Sequence, residues 1–162
     1  MKCDYLKGAG MQGALPETAL YFKEDIVTEI LAIPPQKPNI ERVLDILVWP
    51  EVENIKLIDT PVGMSNEGQF LSGLKLIVEV RLKEKVTYVA DEPTQSVHAA
   101  HYETLTSMFV ILPTEIDGRD TCDLVRSNRI NITPYIEAVN FRALDCRHIH
   151  KCVMIFLNVN IC

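Results

Sequence analysis

An all-β fold, an antiparallel β-sandwich of six to nine strands with a flexible N-terminal arm, is what this sequence predicts, and three observations carry it. The first is Leu74 to Tyr88, where seven of the eight even positions are apolar and only one of the seven odd ones is, with Glu84 the even exception. That period of two marks a long strand with one face buried and one solvated. The second is the final stretch. Its odd positions Ile149, Val153, Ile155, Leu157, Val159 and Ile161 are apolar, with Lys151 the exception. The third is the spacing of turn signals between the apolar runs, at Pro34-Pro35, Gly63 to Gly68, Asp91 to Ser96, Pro113 to Asn128 and Leu144 to Arg147.

Residues 1–20 form the arm, because Gly8, Gly10 and Gly13 with Ala9, Ala14 and Pro16 show no convincing period. Met11, Leu15 and Leu20 are its packing candidates. Residues 21–162 make one β domain. Tyr21 to Ile33 reads as a strand that must stop at the two prolines, which lack ladder donors and force the preceding residue to extended geometry. From Pro38 to Trp49, Ile40, Val43, Leu44 and Leu47 fit helical spacing with Asn39 as N-cap, whereas Val43, Asp45 and Leu47 also suit a strand. The reading adopted is a short helical turn leading into a strand. Strands then follow at Val52–Val62, 71–90, 97–112, 130–144 and 148–161, the first two joined by a hairpin across Gly63 to Gly68. In the last strand, an inward odd face leaves Cys152 and Cys162 outward, with Met154 and Phe156 on a half-apolar outer surface that a neighbour could cover.

At 162 residues and 48% hydrophobic content the chain can bury a substantial core without metal or disulfide. It has no run of about eighteen apolar residues to span a membrane. The start, Met1 to Gly10, lacks the apolar region of a secretory signal, so the expected site of synthesis is a cytosol. A net charge of −6 without a basic cluster argues against a nucleic-acid partner and suits solubility before assembly.

The run from Tyr88 to His98, Tyr-Val-Ala-Asp-Glu-Pro-Thr-Gln-Ser-Val-His, resembles the core motif of the SPOCS domain family of spore envelope (coat and exosporium) and morphogenetic proteins of endospore-forming bacteria. Other segments fit in order: Tyr21 to Glu24, Ile33 to Glu41, Lys75 to Glu79, Phe109 to Pro113, and Thr133 to Glu137. The resemblance covers about residues 21–161. It implies a domain that builds or tethers spore layers, made in the mother-cell cytoplasm and deposited on the spore surface as coat, exosporium or appendage. It brings no catalytic motif and no cofactor. Two roles follow: a structural subunit that self-assembles into a layer, lattice or filament, or an adaptor tethering another envelope protein. The absence of an additional binding module favours the first, so the expected partner is the protein itself, with other spore envelope proteins second.

Sulfur bears on this choice. The five cysteines, Cys3, Cys122, Cys146, Cys152 and Cys162, are an odd number and cannot all pair within one chain. One reading is reduced thiols that fill space in a cytosolic protein. The other, which the resemblance supports, is intersubunit disulfides once the spore surface meets oxidant. Cys3, Cys152 and Cys162 are its candidates, ahead of Cys122 in a loop and Cys146 at a turn.

Metal binding and catalysis find less support. His148 and His150 lie about 7 Å apart along one strand face and could share an ion, yet Cys146 and Cys152 are too far apart to complete the set, and no Cys-x-x-Cys motif occurs. No metal and no cofactor are expected. Ser96 near His98, His101, Asp91 and Glu92 evokes a nucleophile triad, but there is no Gly-x-Ser-x-Gly elbow and no phosphate loop. His98 reads as a sheet residue with a cross-strand partner. The protein is expected not to be an enzyme.

Overall fold

A computed structural model describes residues 5–162. In chain order the elements are β1 (Leu6–Lys7), β2 (Ala9–Gly10), β3 (Tyr21–Ala32), β4 (Ile40–Asp59), β5 (Gly63–Met64), β6 (Phe70–Leu71), β7 (Leu74–Ala90), β8 (Val97–Leu112), β9 (Glu115–Ile116), β10 (Arg119–Asp120), α1 (Thr121–Arg126), β11 (Ile130–Ala143) and β12 (His148–Ile161). Six of these strands are long. With the short β1 and β2 they form two four-stranded sheets, a first of order β1-β11-β12-β3 and a second of order β2-β4-β7-β8, with all pairings among the long strands antiparallel. One apolar core lies between the sheets. This is the expected all-β sandwich.

Strand β7 is buried at every even position from Leu74 to Ala90, Glu84 included, because it is central in its sheet and the opposite sheet covers its whole length. Strand β12 buries Ile149, Lys151, Val153, Ile155, Leu157 and Val159 against it. Both alternations therefore face each other across the core.

The helical turn expected between Pro38 and Trp49 does not form, and the separate strand at 52–62 is part of one 20-residue strand, β4. Register shifts between Ile40 and Arg42, and between Val43 and Asp45, each insert a residue into β4. The buried positions therefore become Ile40, Val43, Ile46 and Val48, a spacing of three, three and two that imitates a helix. Asn39 caps no helix. Its carbonyl accepts the Asp91 N–H at 2.9 Å and its side-chain oxygen accepts from Arg147 at 3.1 Å. Pro50 is accommodated inside β4 because β2 borders that strand only at Leu47–Val48, leaving Pro50 on an otherwise open edge.

The arm is also different from expectation over its described first half. β1 pairs with β11 in the first sheet, and β2 runs parallel to β4 in the second, so the chain crosses from one sheet to the other within five residues. Gly8 donates its N–H to the Val139 carbonyl at 2.9 Å, Met11 donates to Val48 at 2.8 Å, and the Gln12 side chain donates to the Ile136 carbonyl at 3.0 Å. The glycines serve close approach. A Cβ on Gly8 would strike the Ile46 carbonyl oxygen, and one on Gly10 the Ile136 side chain.

Candidate functional site

The two sheets present unlike outer faces. On the second, the outward residues of β7 meet opposite charges on its neighbours: Arg81 bonds Glu53 at 2.9 Å and Glu103 at 2.8 Å, and Lys83 bonds Glu51 at 2.7 Å. The middle of that face is therefore polar and internally paired, while Val97, Leu105 and Phe109 stand exposed along β8 at its edge.

The first sheet carries an apolar patch on its outer face. Strand β3 turns its even residues outward, and Phe22, Ile26 and Ile30 are 49%, 54% and 61% exposed. Cross-strand pairing sets Met154 between Ile26 and Ala138, and Phe156 between Glu24 and Tyr135. Phe22 stacks on Phe156 with ring centroids 5.3 Å apart, and Tyr135 tilts against the same ring at 6.3 Å. Sequence reading placed Met154 and Phe156 on this surface; Phe22, Ile26 and Ile30 escaped it because β3 was not resolved into faces. One carboxylate pair interrupts the patch. Burial, and then the charge and hydrogen bond of Glu24, push the Glu137 carboxyl above its usual range.

Cys152 lies within this face, half-buried between Thr28 and Asn140. Cys162 is exposed at the far end of β12, where its N–H and carbonyl are held by Arg129. Cys146 is exposed in the turn before β12. Cys122, expected in a loop, sits half-buried on α1, whose N-cap is Asp120. All four are free thiols. Cys3 lies outside the described residues. The fold thus gathers no two of these cysteines into a bond.

His148 and His150 share the outer face of β12, as expected, but each has another partner. His148 Nδ1 lies 2.9 Å from Asp145 Oδ2, and His150 meets Tyr5 edge-on. No group of three or more metal-ligating side chains occurs among the described residues.

The family-like segments converge on one end of the sandwich. The Arg147 guanidinium donates to the carbonyls of Ile33, Pro34 and Lys37 at 2.7–2.8 Å. Tyr88 donates its hydroxyl to the Pro38 carbonyl at 2.9 Å and stacks on its cross-strand partner His98. Gln95, in a left-handed conformation at φ 47°, reaches Glu41. Ser96 donates to Glu92 at 2.9 Å and lies 3.0 Å from His98 Nε2. In that order the acid touches the serine rather than the histidine, so no acid–histidine–serine relay is assembled.

The two exceptions to alternation meet in the core. Lys151 from β12 and Glu84 from β7 are both fully buried and in direct contact. Glu29, the cross-strand neighbour of Lys151 on β3, lies 2.7 Å from the same ammonium and accepts the Thr104 hydroxyl at 2.8 Å. Burial drives the Glu84 carboxyl up, with the lysine charge opposing. Burial also pushes Glu29 up, but the bonds from Lys151 and Thr104 outweigh it and leave that carboxyl below its usual range. Glu84 Oε2 is buried without any hydrogen-bond partner. The sequence flagged each residue singly; nothing in it said that they touch.

Comparison with known families decides the relationship. The model of the family described as SipL, SPOCS domain, matches residues 39–144, more than half of the chain and including the whole Tyr88–His98 run. The chain belongs to the SPOCS domain family. That makes it a sporulation-related protein. No curated protein and no solved structure matches it. The matched region of this SPOCS domain spans β4 through β11, so β3 and β12, which complete the apolar outer face, lie beyond it. No helix among the described residues is long and apolar enough to cross a membrane.

Proposed function

We propose that this SPOCS domain is a structural subunit that self-assembles into a bacterial spore envelope layer, lattice or filament, reinforced by intersubunit disulfides. The contrast between the two outer faces supports this reading. On the second sheet the ion pairs of Arg81 and Lys83 keep the middle of the face solvated and confine the exposed apolar residues to β8, whereas Phe22, Ile26, Ile30, Met154 and Phe156 adjoin across two strands and gain from being covered by a second copy. A free thiol at Cys152 stands in that surface, and Cys162 stands exposed at the chain end, each placed to bond a neighbour when oxidant arrives. Deposition on the spore surface from the mother-cell cytoplasm follows from the same reading, and no catalytic step is part of it.

Electron microscopy and light scattering of the purified protein, with and without reductant, test the proposal. Ordered assemblies formed by the protein alone support it. A monomer at high concentration under oxidising and reducing conditions alike would refute it and favour the adaptor role.

A further inference from the structure

We propose that Lys151 Nζ and the Glu84 side-chain carboxyl condense inside the folded core to an amide, joining the two sheets by a covalent bond. Three observations point there. The amine and the carboxyl are in direct contact and both fully buried. A second carboxylate, Glu29, touches the same nitrogen at 2.7 Å and is anchored by Thr104. One oxygen of Glu84 has no partner, a costly state for a buried carboxylate that an ion pair alone leaves unrelieved.

The step balances without any co-reactant. The Lys151 ammonium passes one proton to Glu84 by way of Glu29, giving a free amine and a neutral carboxylic acid. The nitrogen lone pair attacks the Glu84 carboxyl carbon and forms the C–N bond. Glu29 takes a second proton from that nitrogen and hands it to the departing hydroxyl, the C–O bond breaks, and one water leaves. Glu29 ends as it began, a carboxylate, now placed to accept the new amide N–H. In water this condensation runs backwards. In the core the fixed contact replaces a bimolecular encounter, solvent is excluded, and two buried charges give way to a neutral amide. The partly exposed Glu29 side chain marks the route by which the water leaves.

Intact-mass measurement of the purified full-length protein, denatured and reduced, tests this. The expected mass is lower than the sequence mass by one water, and proteolysis should yield a branched peptide joining the Glu84 and Lys151 segments. Lys151→Arg and Glu84→Ala should return to their full sequence masses. Glu29→Gln, checked for folding by circular dichroism, should also keep its full mass or lose water far more slowly. The wild-type spectrum decides even if every variant misfolds. Full sequence mass after prolonged incubation of the folded protein would overturn the proposal, leaving a buried ion pair. So would a water loss that maps to the Asp117-Gly118 dipeptide, where backbone cyclisation produces the same mass change without a branched peptide.

Discussion

Arg147 ties its own turn to the β3–β4 loop with one side chain. Its fork takes the carbonyls of Ile33, Pro34 and Lys37 and the Asn39 side chain, and the Asp145 carboxylate holds the turn that presents it. Planar, multiply directed donation is a property of guanidinium that an ammonium lacks. Arg147→Lys is therefore expected to destabilise the fold by about 1–3 kcal/mol, the usual worth of hydrogen bonds to a charged group, measured by chemical denaturation. A variant as stable as the parent would show that the fork is incidental. Asp145 supplies a second prediction. The Arg147 N–H first, then the His148 side chain and N–H, hold its carboxyl below its usual 3.8. A lowered folded value means that its stabilisation is present above 3.8 and is lost as pH falls through the folded value. The stability gap between the wild type and Asp145→Asn should thus be full near neutrality and close below pH 3.8. A gap that stays constant down the titration would contradict the linkage. Neither residue stood out in the sequence, since Arg147 contacts lie more than a hundred positions away and only the prolines at the receiving loop were visible.

Among the elements, β7 and β12 were legible because one buried face and one outward face impose a period of two, and a strand without bulges preserves it. Strand β4 was not, because its inserted residues change the spacing of buried positions, and none of the three register shifts has a sequence mark such as glycine. Strand β3 was legible as a strand yet not as a surface. Its inward side mixes Lys23, Asp25 and Glu29 with the core residues Tyr21, Val27 and Leu31, while its outward side mixes Phe22, Ile26 and Ile30 with Glu24 and Thr28, so neither face shows clean alternation. Inward charge on an edge strand discourages edge-to-edge pairing, so a neighbour is expected on the face instead. The double variant Ile26→Lys, Ile30→Lys should keep its circular dichroism spectrum and lose assembly, as followed by light scattering. Assembly at the parental rate would move the interface elsewhere. The covalent counterpart is the triple serine variant at Cys3, Cys152 and Cys162. On non-reducing electrophoresis the wild type should give a ladder that reductant removes, and the variant none. A ladder from both would assign the bonds to Cys122 or Cys146.

For the whole molecule, residues 6–11 help to close the sandwich. Its two sheets approach each other on one side through β3 and β8, where Tyr102 donates to the Ala32 carbonyl and Thr104 to Glu29. On the other side β4 and β11 run close to each other and β1 and β2 bridge them; the glycines there, which the sequence presented as flexibility, are required because Ile46, Val139 and Ile136 leave no space for a Cβ. Deleting residues 1–11 removes the β1 and β2 pairings together with the Gly8 and Met11 bonds. At a net worth of about 1 kcal/mol per hydrogen bond, the loss should be about 2–4 kcal/mol and visible as a lower denaturation midpoint. It also uncovers the edges of β11 and β4, so the truncated domain should associate irregularly where the intact one assembles in order. A synthetic peptide of residues 1–20 should bind the truncated domain and restore part of the lost stability, since backbone pairing to a vacant edge does not require chain continuity. Gly8→Val in that peptide should abolish the rescue by striking the Ile46 carbonyl. If truncation leaves the midpoint unchanged, the segment merely rests on the sheets, and the sandwich is held shut by its core alone.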